Sequence, residues 1–122
     1  MHKFNKDIGN LGEDLAVKYL KANNYIIIKR NFRCKVGELD IIAKNEGYIV
    51  FIEVKSRYGD DYGTPAEAVN FYKQKKIYKT AEVYIMQNKL YSFSYRFDVI
   101  EIFLKLELNS YSLKLIKNAF QL

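Results

Sequence analysis

The sequence predicts a single α/β (α+β) domain, residues 1–122, in which a central mixed β-sheet of about five strands is flanked by helices. The chain has 122 residues, which suits one domain, and 49% of them are hydrophobic, which is enough for a core. Apolar residues recur at helical spacing in some segments, whereas others are short runs rich in Ile, Val and Phe. In chain order these segments give α, β, β, β, α, β, β.

The N-terminal segment has helical periodicity. A helix is predicted from about Asp7 to Asn23. Its expected apolar stripe consists of Ile8, Leu11, Leu15 and Tyr19. A strand follows from Tyr25 to Arg33, and its three consecutive isoleucines make it too apolar for an exposed sheet edge.

A β-hairpin is predicted next. Apolar runs at 39–43 and 48–54 enclose a turn in which Glu46-Gly47 is the two-residue loop. Side chains alternate between the two faces of a strand. This register therefore places Asp40 directly opposite Glu53.

The second half of the chain repeats the alternation of helix and strand. A loop from Arg57 to Pro65 contains several Gly and Asp residues. Thr64 is the predicted N-cap of a helix from Pro65 to about Gln87. Its expected buried stripe consists of Val69, Ile77, Ala81, Tyr84 and Ile85. Two strands complete the sheet, from Tyr95 to Leu104 and from Ser110 to Ile116.

Composition narrows the function. The net charge of +6 indicates an anionic partner, with nucleic acid ahead of an acidic membrane surface. Cys34 is the only cysteine and His2 the only histidine, so we exclude an intramolecular disulfide, a Cys- or His-based zinc site and a Ser-His-Asp mechanism. We expect a cytoplasmic protein with no membrane partner, because signal-peptide and membrane-spanning patterns are not found.

The opposed carboxylates are the candidate site. Asp40 and Glu53 would repel each other, a divalent cation would reverse that repulsion, and Lys55 lies one pleat away. The alternation alone favours the alternative that all three side chains form a solvated outer face. Against it, Ile42 and Phe51 share the faces of the two acids. That pattern indicates strands buried on both sides, where unpaired acids are costly.

Three further positions stay open on the residues alone. Glu13 is either a rim residue that reaches water or part of the site. Gln74, on the core side of its helix, either bonds a neighbouring backbone group or reaches the carboxylates. Asp98 either neutralises Arg96 or supports the site.

Several motifs together resemble a known family. Asp40, followed after twelve residues by Glu53-Val54-Lys55, resembles the D-(x)n-E-x-K signature of the restriction-endonuclease-like nuclease superfamily. The chain from about Ile8 to Ile102 is similar to the small bacterial YraN family, itself similar to archaeal Holliday junction resolvases. The motifs that carry this closer resemblance are Gly12-Glu13, Asn31-Phe32-Arg33, Gly37-Glu38-Leu39-Asp40-Ile41-Ile42-Ala43, Glu53-Val54-Lys55-Ser56-Arg57 and Arg96-Phe97-Asp98-Val99.

The resemblance implies a restriction-endonuclease-like fold and a metal site. Mg²⁺, with Mn²⁺ as a possible substitute, suits hard oxygen ligands. The implied ligands are Asp40, Glu53, the carbonyl of Val54, and Glu13. The implied catalytic residues are Lys55, Glu53, Asp40 and Gln74, with Glu38 and Tyr78 as secondary candidates. Leu39 replaces the proline found before the acid in many relatives, which leaves the chemistry intact because proline is no ligand.

The expected function is that of a Mg²⁺-dependent endonuclease-like hydrolase acting on DNA, with branched DNA or processed ends as candidate substrates. Its resemblance to resolvases suggests a homodimer. The expected nucleic-acid-binding residues are Arg30, Arg33, Lys35, Arg57, Lys73 and Lys76. Lys75 and Lys79 lie on the opposite side of the helix from its buried stripe, and for each of them the favoured alternative is a solvated helix face. The alternatives for the whole protein are a non-catalytic nucleic-acid-binding module on the same fold and an accessory factor that binds another protein.

Overall fold

A computed structural model describes residues 2–58 and 69–121. The helices are α1 (His2–Ala22) and α2 (Phe71–Gln87). The strands are β1 (Ile26–Arg33), β2 (Glu38–Asn45), β3 (Tyr48–Tyr58), β4 (Ser94–Lys105) and β5 (Ser110–Ile116), with a short 3-10 helix at Leu106–Leu108. The predicted fold class, a mixed sheet with flanking helices in the order α, β, β, β, α, β, β, is confirmed.

The strands form one mixed sheet in the order β1-β2-β3-β4-β5. Neighbouring strands are antiparallel except β3 and β4, which run parallel along their whole length, from Tyr48↔Ser94 to Tyr58↔Leu104. Parallel neighbours need a crossover connection, and α2 lies in the one between β3 and β4. This places α2 across the middle of the sheet.

The hairpin between β2 and β3 is formed as predicted. Glu46 and Gly47 both have positive φ, 52° and 83°, as the turn of a two-residue hairpin with right-handed strand twist requires. Asn45 pairs with Tyr48, and the pairing continues to Ile41↔Ile52. The turn therefore sets the register that brings Asp40 beside Glu53.

The sheet is buried on both faces, as the apolar patterns of β2 and β3 predicted. On one face, α1 packs on a cluster that contains Ile41, Val50, Ile52, Ile100 and Ile102. On the other, α2 packs on a cluster that contains Ile42, Ile49, Phe51, Phe97 and Val99. Ile77, Ala81 and Tyr84 of the predicted α2 stripe are buried there.

The buried face of α1 differs from the prediction. Leu11 and Tyr19 of the expected stripe are 40% and 37% exposed, whereas Ala16, Val17 and Leu20 are buried. The reason is a close approach between helix and sheet, since a Cβ at Gly12 would overlap the Ser56 hydroxyl of β3. Gly12 and Ala16 allow this approach, Val17 and Leu20 pack beside them, and Leu11 and Tyr19 lie toward solvent.

Two further expectations are wrong. β1 lies at an edge of the sheet, and its Ile26 is 68% exposed, although its isoleucines predicted an inner strand. The second helix begins at Phe71 rather than at Pro65, because the side chain of Asn70 accepts a hydrogen bond from the Lys73 N–H and caps the helix there. Thr64 and Pro65 lie outside the described residues.

Asp98 belongs to a buried polar cluster on the α1 face. Its carboxylate accepts hydrogen bonds from the Arg96 guanidinium and the Tyr25 hydroxyl, each at 2.9 Å, and from the Asn118 N–H. Asp98 pairs in register with Ile52, a residue of the α1-side core. Asp98 therefore neutralises Arg96, and it faces away from the Glu53 side of the sheet.

In the described part of the chain, neither helix is both long enough and apolar enough to cross a bilayer.

Candidate active site

The candidate site lies where β2 and β3 separate. Their backbone pairing ends at Ile41↔Ile52. Beyond it, the Asp40 carboxylate accepts a hydrogen bond from the Val54 N–H at 2.8 Å, so that a side chain takes the place of a main-chain acceptor. β1 continues beside β2 as far as Arg33↔Glu38, and β3 continues beside β4. A fork therefore opens within the sheet, with Asp40 on one arm and Glu53 on the other.

Asp40 and Glu53 interact directly across this fork. Burial and the neighbouring charge of Glu53 raise the pKa of Asp40 to about 7. Like charges held close together in a poorly hydrated site disfavour double ionisation. The pair thus has the mutual repulsion expected from the sequence, and a cation placed between the two carboxylates would relieve it.

Two lysines accompany Glu53, whose side chain is 11% exposed. Glu53 Oε1 lies 3.6 Å from the Lys55 Nζ and 3.0 Å from the Lys73 Nζ. Burial, followed by the contact with Lys73, lowers the pKa of Lys55 although Glu53 opposes the shift. Lys73 is affected in the opposite sense: burial alone would lower its pKa, but its contacts with Lys55 and Glu53 raise it. We call Asp40, Glu53, Lys55 and Lys73 the carboxylate–lysine cluster.

Lys73 makes a contact that the sequence did not predict. It was expected on a helix flank among side chains that bind nucleic acid, whereas its ammonium lies on a metal-ligand candidate. Asn70 caps the helix, so that Lys73 lies in its first turn, and the Lys73 side chain lines the cavity with Asp40 and Glu53. An Asn three residues before the lysine was the available sequence signal.

A cavity of about 420 Å³ opens over the two acids. Its other lining residues come from the β1–β2 connection and from α2: Arg33, Cys34, Gly37, Glu38, Lys73, Lys76 and Ile77. A Cβ at Gly37 would lie 2.9 Å from Thr80 Oγ1, so glycine allows the connection to approach α2. Glu38 forms an exposed ion pair with Arg33 at 3.1 Å. The cavity is therefore a charged cleft lined by both carboxylates and basic side chains.

Glu13 lies near the cluster but makes its hydrogen bonds elsewhere. It accepts hydrogen bonds from Arg30 Nε at 3.0 Å and from Asn31 Nδ2 at 3.1 Å, and its charge contributes to the raised pKa of Asp40. Arg30 also contacts Asp14 at 2.7 Å. Both expected site residues, Glu13 and Arg30, are thus engaged in joining α1 to β1.

The glutamine of α2 has a backbone partner. Gln74 Nε2 donates a hydrogen bond to the Val69 carbonyl at 2.9 Å. Of the two alternatives given for this amide, the structure therefore shows the bond to a neighbouring backbone group. Tyr78 is 38% exposed, and its ring lies 6.0 Å from that of Phe97. Among the described residues that line the cavity, α2 contributes Lys73, Lys76 and Ile77 instead.

The other basic residues expected to bind nucleic acid differ in their exposure to solvent. Arg33, Lys35 and Lys76 are exposed. Arg57 lies 3.1 Å from Oε1 of Glu101, whose carboxylate is completely buried. Glu101 neighbours Lys55 in the parallel register, and no role was predicted for it. The alternation of β4 was the signal, since it places Glu101 on the α2-facing side with Val99.

The donor set suits a hard cation only in part. Within residues 2–58 and 69–121, no three Asp, Glu, His or Cys side chains are grouped so as to hold a metal ion. Mg²⁺, however, commonly binds through one or two carboxylates and keeps several waters. Asp40 and Glu53 supply that minimum. The Val54 N–H points to Asp40, and in an extended strand the C=O of a residue projects to the same side as its N–H, which makes the Val54 carbonyl a candidate further donor.

Comparisons with known proteins agree on one family. The model described as "Uncharacterised protein family UPF0102" matches residues 12–102. A UPF0102 protein of Clostridium botulinum strain 657 is 59% identical over 123 residues, covering 100% of both chains. A UPF0102 protein of Clostridium kluyveri is 58% identical over 122 residues, again with 100% of both chains covered.

Proposed function

The chain belongs to the UPF0102 family, which bears out its YraN-like resemblance, and we propose that it is a Mg²⁺-dependent endonuclease-like hydrolase that cleaves phosphodiester bonds in DNA. One observation carries the proposal: Asp40 and Glu53 meet at the fork between β2 and β3, with the Lys55 and Lys73 ammonium groups against Glu53. Paired acids can hold a catalytic divalent cation, and an adjacent ammonium can stabilise the charge that develops during hydrolysis of a phosphodiester.

Asp40 and Glu53 would hold Mg²⁺, or Mn²⁺ in its place, with the Val54 carbonyl as a further donor. When bound, the metal supplies Lewis-acid activation of water and neutralises phosphate charge. The repulsion that raises the pKa of Asp40 supports this assignment, because it is an energetic cost that a cation removes. Hydrogen bonding of Asp40 to the Val54 N–H fixes one carboxylate in position.

Lys55 would serve the water or the phosphate. Its lowered pKa brings its proton exchange closer to neutral pH, as general acid–base chemistry requires. It either orients and deprotonates the attacking water or acts as a fixed positive charge on the phosphate. Lys76 and Arg33 on the cavity walls would hold the flanking backbone without reading sequence.

A non-catalytic nucleic-acid-binding module is the second candidate. This alternative is supported by two ion pairs, because Glu53 contacts Lys73 and Glu13 contacts Arg30. Acids neutralised by the protein itself need no metal to be stable. In that case the same cations would bind phosphate, and the two acids would only position the lysines.

The deciding experiment is a cleavage assay on labelled duplex, flap and four-way DNA in Mg²⁺, Mn²⁺ or EDTA. We expect metal-dependent cleavage that falls about a hundredfold or more in both Asp40→Asn and Glu53→Gln. Asp14→Asn is the matched control, because Asp14 is 65% exposed and its ion pair with Arg30 lies outside the carboxylate–lysine cluster. Salt-sensitive DNA binding that both site variants retain, without cleavage in either metal, would favour the binding module.

A further inference from the structure

The outer side of α2 carries exposed aromatic rings among lysines. Phe71 is 65% exposed and Tyr72 is 77% exposed, and the ammonium of Lys75 lies 5.5 Å from the centre of the Phe71 ring. We call Phe71, Tyr72, Lys75, Tyr78 and Lys79 the aromatic–lysine face. Large rings on an exposed, charged surface indicate a site for a partner, since they gain nothing from contact with water.

The charges of this helix point to an anionic partner. All four of its lysines, Lys73, Lys75, Lys76 and Lys79, fall in its first half, and Glu82 is its only acid. The macrodipole makes a cation unfavourable in the first turn of a helix, where Lys73 lies, and four lysines so close together also repel one another, so an anion nearby would be stabilising. The distribution also disfavours a second copy of this chain as the occupant, because two such faces would repel each other.

The aromatic–lysine face and the candidate active site lie on two sides of the same helix, α2. Lys73 and Lys76 line the cavity over Asp40 and Glu53 on one side of α2. On its other side, a groove of about 510 Å³ is lined by Phe71, Lys75, Tyr78, Lys79, Glu82 and Gln121. A strand leaving the cavity across the first turns of α2 would therefore meet Tyr72 and Phe71 next.

We propose that the aromatic–lysine face binds a single-stranded arm of a nucleic acid whose backbone enters the cavity. Bases would stack on Phe71 and Tyr72, and phosphates would contact Lys75 and Lys79. Stacking requires bases free of their own duplex neighbours, which is why a single strand fits and a blunt duplex does not. The inference rests on the proposed function and narrows its substrate class to DNA with a flap, overhang or other unpaired arm.

The test is equilibrium binding by fluorescence anisotropy in EDTA, with the full chain and a labelled single strand of about 16 nucleotides or its duplex. In Phe71→Ala and Tyr72→Ala, we expect single-strand affinity to fall about fivefold or more for each ring, with duplex affinity changed less than about twofold. Tyr111→Ala, which removes a 49% exposed ring from β5, is the matched control and should leave both affinities unchanged.

The lysines provide a second readout. Each of Lys75→Gln and Lys79→Gln should reduce the slope of log affinity against log salt concentration by about 0.7 on the single strand. Equal losses on single strand and duplex, no loss on either, or dissociation of a dimer by the ring variants in sedimentation would overturn the inference. Binding in EDTA does not depend on cleavage. If the protein does not cleave DNA but the ring variants lose single-strand affinity, only the proposed nuclease activity is refuted. If it cleaves DNA but the ring variants bind normally, only the proposed role of the aromatic–lysine face is refuted.

Discussion

Asp40→Asn should stabilise the metal-free protein at alkaline pH. Burial and the charge of Glu53 raise the pKa of Asp40 from 3.8 to about 7. Between these values the folded protein retains a proton that the unfolded chain releases. The stabilising effect of that proton is full at low pH and is lost as the pH rises through about 7. Asparagine never ionises, and its Oδ1 still accepts the Val54 N–H.

The size of the effect follows from the same shift. A pKa moved from 3.8 to about 7 corresponds to roughly 4 kcal/mol if Asp40 alone were responsible. Glu53 shares the repulsion and the site is open to solvent on one side, so we expect about half of that, roughly 2 kcal/mol. For a domain of this size the melting temperature should rise by about 8 °C at pH 8.

Thermal unfolding followed by circular dichroism in EDTA, from pH 4 to pH 8.5, measures this directly. The melting temperatures of the variant and the native protein should converge near pH 4, diverge between about pH 4 and pH 7, and stay a constant distance apart above pH 7. Glu38→Gln is the matched control, since Glu38 lines the same cavity but its side chain is 59% exposed. An Asp40→Asn protein that is less stable than the native protein at pH 8, or equally displaced at every pH, would refute the repulsion and mark Asp40 as structural.

Two further outcomes are expected. Lys73→Met should bind Mn²⁺ about tenfold more tightly in calorimetric titration without DNA, because it removes an ammonium 3.0 Å from Glu53 Oε1. The control Lys75→Met should leave the Mn²⁺ affinity unchanged. Unchanged affinity in Lys73→Met would contradict a competition between Lys73 and the metal for Glu53. Asp98→Asn should lower the free energy of unfolding in urea by about 3–5 kcal/mol, because it leaves the buried Arg96 charge uncompensated. The exposed Glu46→Gln control, at the same arginine, should cost less than about 1 kcal/mol, and a similarly small loss for Asp98→Asn would contradict this account.

Local chemistry made the hairpin predictable. Glu46-Gly47 is a turn whose two residues adopt positive φ, and this turn alone fixes which residues of β2 and β3 are opposed. The proximity of Asp40 to Glu53 follows from counting back from that turn. The burial of both sheet faces was likewise visible, because apolar residues occupy both alternating sets of positions in β2 and β3.

Packing between distant elements could not be read in the same way. The apolar spacing of α1 favoured Leu11 and Tyr19 as core residues, but Gly12 determines which side approaches β3 closely. The first residue of α2 depended on a choice between caps, and the start at Phe71 puts Lys73, whose ammonium contacts Glu53, in the first turn. Periodicity identified both helices and the buried side of α2, but a contact across the fold decided the rotation of α1.

Lys73 occupies the carboxylate that a metal ion would bind. Glu53 Oε1 contacts the ammonium groups of Lys55 and Lys73, so a cation that binds there must compete with Lys73. Lys73 lies on α2, the helix that also carries the aromatic–lysine face. DNA phosphate is an alternative partner for the same ammonium. Under the proposed function, phosphate that draws Lys73 away would free Glu53 for the metal, and bound metal would release Lys73 to the phosphate. Linkage makes the two effects equal in free energy, so metal and DNA would each favour binding of the other.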